Sequence, residues 1–240
     1  AYFAWMLLLE AGVIGVFCAM DLMVFFLCFE VVLVPMYFLI GRWGHGNSAY
    51  AATKFFLFTM AGSALMLIGI LALAFLHADA TGGGLTFDLV ELAEAQSLGI
   101  TTARWVFLSF ALAFAVKVPL FPLHTWLPDA HTEASTAGSV ILAGVLLKMG
   151  GYGFFRAAYP ILPEAASSEV MFWLVGGLGM ISIAYGALAA MAQTDFKSPG
   201  AYSSISHMGY ILLGLAAGTT AVYQGGVMQR FHHGISSALI

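Results

Sequence analysis

Charge is the scarcest property of this 240-residue sequence: charged side chains make up 8% of it, against 61% hydrophobic residues, and the mean hydropathy is +0.95. Soluble domains carry roughly 25% charged residues. A water-soluble fold of this length needs a polar surface that this composition cannot supply. Lipid must therefore be the solvent for much of the exterior, and the expected fold class is all-α, a polytopic membrane helix bundle. The few charges sum to −4, which argues against nucleic acid as a partner. Cysteine is almost absent. Cys18 and Cys28 both sit in apolar runs, which excludes a disulfide framework or a cysteine-rich metal site and leaves them as small core residues. The opening "AYFAWMLLLE" has neither an initiator Met nor the charged start of a signal peptide, and "HHGISSALI" stops inside an apolar run. Both ends are those expected of a piece of a longer membrane protein.

Motifs of soluble enzymes are also missing. "GGG" at 82–84 lacks Walker spacing, and there is no dinucleotide fingerprint, no His-Glu-x-x-His and no nucleophile elbow. His124 and His131 flank the polar turn "HTWLPDAH" without further obvious ligands, so no metal is expected.

What is present is a series of apolar windows near the roughly 20 residues that a span requires. They fall at 2–20, 22–40, 50–76, 104–127, 135–157, 169–191, 198–217 and 220–240, or about eight helices, with a turn near Asp21 dividing the first two. Arg42 in "GRWGHGNSAY" and the acid-rich stretch 77–103 place 41–49 inside and 77–103 outside, and alternation then puts "PDAHTE" and "AQTDFKSPG" inside. Leu89, Leu92 and Ala93 have the spacing of a short amphipathic helix lying along the outer surface.

Five of these windows carry an ionisable residue near their centres: Glu30, Lys117, Lys148, His207 and His233. A charge at that depth costs about 2.5–3.5 kcal/mol on insertion scales, so five on separate helices are expected to have a use. Either histidine taken alone is equally read as simple interhelical glue. Lys54, nearer a span end, is expected to snorkel to the interface. Lys117 and Lys148 are too deep for that. Desolvation disfavours the charged forms of lysine and carboxylate alike, and an opposite charge nearby reverses the effect. A lysine that gains and loses a glutamate partner is therefore a proton-transfer switch. Histidines suit relay positions between such lysines, and Ser203, Ser204 and Ser206 beside His207 are placed to hold water for the relay. Pro119 and Pro122 interrupt the helix immediately after Lys117. Broken helices survive in membranes where protein or water satisfies the freed backbone, a recurrent feature of ion sites.

The stretch "FALAFAVKVPLFPLHTWLPDAHTEASTAGSVILAGVLLKMGGYGFFR" resembles the signature region of the antiporter-like membrane subunits of respiratory complex I, the proton-pumping NADH:quinone oxidoreductase. "FFLCFEVVLVPMYFLIGRWG", "ATKFFLFTMAGS", "AYSSISHMGYILLGL" and "HHGISSALI" fit the same family, and "VPMYFLIGRWG" and "LLKMGGYGFFR" are worded most like its M-type branch, also called chain 4. The resemblance implies two inverted five-helix repeats, each with a broken helix, of which residues 1–160 are the first and 161–240 the start of the second. It implies that Glu30 pairs with the broken-helix lysine Lys117, that Lys148 is the connecting lysine, and that His207 and His233 belong to the second half-channel. A second broken helix, with its own titratable residue, is implied beyond Ile240.

It further implies a proton-translocating subunit, without redox chemistry or a cofactor of its own, in a bacterial plasma membrane or mitochondrial inner membrane. Its partners would be other membrane-arm subunits, including antiporter-like neighbours, together with lipid and protons. FMN, iron–sulfur clusters and quinone belong to those partner subunits. A multi-subunit cation/proton antiporter or a membrane-bound hydrogenase shares the same motifs. From other classes, a scaffold whose charges merely fix helix packing stays open, whereas two central lysines and about eight helices argue against a Schiff-base photoreceptor.

Three departures from the family pattern stand out: "EAST" with Ser135 in place of proline, Ser198-Pro199-Gly200 in place of a basic-apolar-apolar run, and Arg230 in place of an apolar residue. Arg230, one turn from His233, is expected to oppose its protonation.

Overall fold

The structure, a computed structural model, describes residues 1–195 and 197–239. Phe196, in the predicted "AQTDFKSPG" turn, and Ile240, the end of the last window, lie outside the described residues. Among the described residues there is no strand, and helices follow one another from α1 (Tyr2–Cys18) to α14 (Thr220–Leu239). The first apolar run holds α1, then α2 (Leu22–Val31) and α3 (Leu33–Trp43), which together form one rod. Asp21 starts this rod as the turn residue expected: its carboxylate accepts the backbone N–H groups of Met23 and Val24 at 2.8 and 3.0 Å.

The rod loosens at Val32. Pro35 has no N–H to offer the carbonyl of Val31, four residues back, so a helix defect lies one residue beyond Glu30. The long helix α4 (Ser48–Thr81) follows, then the short α5 (Leu89–Ala95), which buries Leu89 and Leu92 as the spacing predicts. The predicted window 104–127 is not one helix. α6 (Ile100–Lys117) ends at the lysine, turns cover 118–125, and α7 (Trp126–Glu133) resumes.

The next rod, Thr136–Ile161, is continuous but twice relaxes into π-helix, between α8 (Thr136–Ile141), α9 (Leu147–Gly153) and α10 (Tyr159–Ile161). After α11 (Pro163–Ala166), α12 (Glu169–Met191) and α13 (Lys197–Ala216) pack closely. Their contact passes through Gly209, where a Cβ would lie 2.6 Å from the carbonyl of Gly179. Pro199 is the third residue of α13, inside the first turn, where proline removes no helical bond.

Among the described residues, seven of the eight predicted windows hold a helical rod, and the window 104–127 holds two helices with a break between them. Five are long and apolar enough to cross a membrane: 22–43, 48–81, 100–117, 136–161 and 169–191. α1 is one residue short of 18. The helices α13 and α14 have the length, 20 residues each, but carry polar side chains along their facing stripes.

The segments predicted to share one side meet at one end of the bundle. His45 N–H donates to the carbonyl of Glu133 at 2.8 Å, and the Lys197 ammonium donates to the carbonyls of Thr132 and Ala134 at 3.3 and 3.0 Å. At the opposite end Asp21 and Asp88 form a β-bridge that seats α5 on the start of α2.

Candidate functional site

The break after Lys117 is built from satisfied backbone groups. Val118 N–H donates to Phe114 at 2.7 Å and Leu120 N–H to Ala115 at 3.0 Å, while Pro119 and Pro122 have no N–H with which to continue the ladder. Two side chains complete the interruption from elsewhere. The indole N–H of Trp126 donates to the carbonyl of Val116 at 2.9 Å, and the Ser182 hydroxyl on α12 accepts the N–H of Phe121 at 2.9 Å. Irregular backbone at membrane depth survives only with such partners. Sequence reasoning singled out neither residue, since nothing in the spacing ties Trp126 to Val116 or Ser182 to Phe121.

Lys117 is 1% exposed, and its ammonium has no hydrogen-bond partner among the described residues. It lies over the rings of Phe29, 4.7 Å to the centroid, and Phe55, 5.7 Å. The expected ion pair with Glu30 is not formed: the one salt bridge among the described residues joins other side chains, and Glu30 Oε1 is itself unpartnered. The cause is local. Phe29, adjacent to Glu30 in sequence, sets its ring against the ammonium, and the charge is held by ring faces instead of a carboxylate. Ser63 lies beside Glu30, but its hydroxyl donates to the carbonyls of Thr59 and Met60. Glu30 and Lys117 remain within Coulombic reach of each other.

Lys117 closes onto the central rod at Gly150. A Cβ there would sit 3.0 Å from Lys117 Cβ and 2.8 Å from a Val118 methyl, so only glycine admits the contact. Two residues earlier, Lys148 is 6% exposed, and its ammonium donates to the carbonyl of Ala143 in the first π segment. Beyond it lie both predicted histidines, whose ring centroids are 4.9 Å apart with planes inclined at 34°. Both are in electrostatic contact with Lys148. The side chains of Gln229 and Ser237 meet the Nδ1 atoms of His207 and His233 at 2.9 and 3.4 Å.

A cavity of about 100 Å3 opens beside the pair, lined by His131, Lys197, Ser203, His207, His233 and Ser237 among others. It is large enough for water, and its basic and hydroxyl side chains offer hydrogen-bond partners. Of the three serines expected to hold water, Ser203 lines it. Ser204 and Ser206 do not, and all three hydroxyls donate to carbonyls, those of Ser203 and Ser204 to Gly200 and that of Ser206 to Ile183. His131 and Lys197 were not foreseen as members of this site.

Two further expectations change. Lys54 does not snorkel free but forms the salt bridge noted above, 2.6 Å from Asp129, fastening α4 to α7. Arg230 is directed at the central rod and not at His233: its guanidinium donates to the carbonyl of Lys148 at 3.2 Å and lies over the rings of Phe155 and Tyr152, at 5.3 and 5.8 Å. The reason is room, since Gly151 opposes the guanidinium without a side chain.

The fold and site define a class: an all-helical, multi-pass integral membrane protein with a helix broken at a buried lysine and a train of ionisable residues through its centre. Residues 19–240 match the family described as NADH:quinone oxidoreductase/Mrp antiporter, TM, and the chain belongs to that family. Subunit M of the NADH-quinone oxidoreductase of Pseudomonas aeruginosa is 48% identical over 237 residues, covering 95% of this chain and 45% of that protein. Among solved structures, a chain of respiratory complex I from Thermus thermophilus with bound NADH superposes with a TM-score of 0.88 at 37% identity, covering 99% of this chain and 50% of that one. A chain of the Mrp complex from Dietzia sp. gives 0.84 at 27% identity, covering 98% and 42%. The chain thus spans about half the length of the curated relatives it matches.

Proposed function

We propose that this chain moves protons across an energy-transducing membrane as part of a membrane-arm subunit of an NADH:quinone oxidoreductase. Glu30, Lys117, Lys148, His207 and His233 are the transfer residues, and Pro119 and Pro122 set the break that makes the path. The observation that carries the reading is Lys117: fully buried, at the last residue of a broken helix, with no hydrogen-bond partner, and with Glu30, whose Oε1 is unpartnered, in Coulombic reach. A structural lysine in a membrane is paired. One held over aromatic faces near an unbonded carboxylate is poised between partners.

In this reading, approach and withdrawal of the Glu30 carboxylate strengthens and weakens the hold of Lys117 on its proton, which passes towards Lys148, the histidine pair and the cavity beside it. Moving one proton against 100 mV costs about 2.3 kcal/mol. A change of about two pKa units at a site is worth about 2.7 kcal/mol, so the switch is sufficient at that scale. FMN, iron–sulfur clusters and quinone belong to partner subunits, and the division into repeats at residues 160 and 161 is part of the same proposal. The likeness to a chain of the Mrp complex supports a second reading, a subunit of a multi-subunit cation/proton antiporter. The 48% identity to a subunit M favours the first.

The test is proton pumping in membrane vesicles carrying the full-length subunit with Lys117→Met, beside electron-transfer rate and complex assembly. Loss of pumping with assembly intact supports the reading. Persistence of both pumping and electron transfer overturns it.

A further inference from the structure

Gln229 bonds one member of the histidine pair, His207. On α14, Gln229, His233 and Ser237 fall at successive four-residue steps and form one stripe. On α13, Ser203 and His207 form the facing one. The Gln229 side-chain nitrogen lies 2.9 Å from His207 Nδ1. An amide nitrogen only donates, so Nδ1 must accept, and neutral His207 then carries its ring proton on Nε2. Across the pair, Ser237 Oγ lies on the Nδ1 side of His233, and His233 Nε2, with the ring 3% exposed, is buried without a partner. Of the two rings, that of His207 is the one bonded closely at Nδ1, since the Ser237 hydroxyl donates to the His233 carbonyl and only approaches His233 Nδ1.

We infer that Gln229 is a positioning residue for proton transfer: its amide fixes the tautomer and ring orientation of His207, so that His207 gives and takes its proton at Nε2. This rests on the proton-transfer reading above. The ionisable groups facing the pair are Lys148 on α9, His131 on α7 and Lys197 on α13, all basic, so no carboxylate among the described residues competes with the amide for Nδ1. The cavity lined by both histidines and Lys197 lies beside the pair.

The experiment uses the full-length protein in its assembled complex, with 15N-labelled histidine and solid-state NMR for the tautomer, beside vesicle pumping. The wild type is expected to show His207 protonated at Nε2. Gln229→Leu is expected to give a tautomer mixture and a several-fold fall in pumping with assembly unchanged. Gln229→Glu, which can only accept, is expected to draw the proton onto Nδ1 and move the pH profile of pumping to higher pH, while Gln229→Asn restores part of the rate. A wild-type His207 protonated at Nδ1, or a Leu variant with unchanged tautomer and pumping, overturns the inference. Failure of the underlying reading looks different: pumping then survives Lys117→Met, whatever the tautomer of His207.

Discussion

Trp126 ties the two halves of the broken helix together, its indole N–H bonded to the carbonyl of Val116, ten residues back and one residue before the critical lysine. The bond is buried and belongs to neither helix's own ladder. Trp126→Phe keeps the packing against Phe55, whose ring centroid is 5.4 Å away, and removes only the donor. An unsatisfied buried carbonyl costs about 1–3 kcal/mol, so the variant should melt earlier and pump more slowly. Thermal unfolding of the purified complex checks this, and an unchanged midpoint would count against a role for the indole in shaping the break.

Gly150 sets how closely Lys117 approaches the central rod. Gly150→Ala places a methyl 2.8 Å from Val118 and 3.1 Å from the carbonyl of Phe114, and the latter is backbone that cannot swing aside. Overpacking of this kind costs about 1–3 kcal/mol. The expected result is a destabilised protein in which Lys117 is displaced from Lys148 and pumping falls further than stability alone explains. Equal pumping per assembled complex in wild type and variant would show that this approach is not needed.

The rods and the break were legible because hydropathy and proline act locally. Apolar windows located the helical rods, and Pro119 with Pro122 marked the stop at Lys117. What was not legible depends on how rods meet. Whether Glu30 touches Lys117 is decided by the ring of Phe29, and whether Lys54 is free is decided by Asp129, which is 75 residues away. The two π segments leave no plain mark in the composition of 136–161. Ser204 and Ser206 looked like water ligands because their hydroxyls are adjacent to His207 in sequence, yet each is engaged by a carbonyl. Pro35 follows Glu30 by the same five residues that separate Pro122 from Lys117, so a proline downstream of a central ionisable residue marks the helix defect in both places.

The Lys54–Asp129 pair is short but wet, with side chains 20% and 39% exposed. Ion pairs of this kind contribute about 0.2–1 kcal/mol after solvent screening. A double-mutant cycle of Lys54→Met and Asp129→Asn should return a coupling within that range, falling as salt is raised. A coupling well above it, insensitive to salt, would mean that the pair closes into a dry contact in the assembled complex.

Arg230 tests whether the unusual cation beside Lys148 is structural. Its guanidinium meets a carbonyl and two rings but no carboxylate among the described residues, and its Nε has no hydrogen-bond partner. A desolvated cation without a counter-charge is a liability, and exchange of buried ionic groups for apolar ones of similar volume is often neutral or stabilising by about 1–4 kcal/mol. Arg230→Met should therefore be at least as stable as the wild type, because a methionine can lie on Phe155 as the guanidinium does. Arg230→Ala, which removes the packing too, should be less stable than the methionine variant. The methionine variant also relieves like-charge repulsion on Lys148, so pumping should change while assembly does not. If Arg230→Met melts well below the wild type, the guanidinium is doing something that a flexible apolar side chain cannot, and the hydrogen bond to the Lys148 carbonyl would be the contact to remove next.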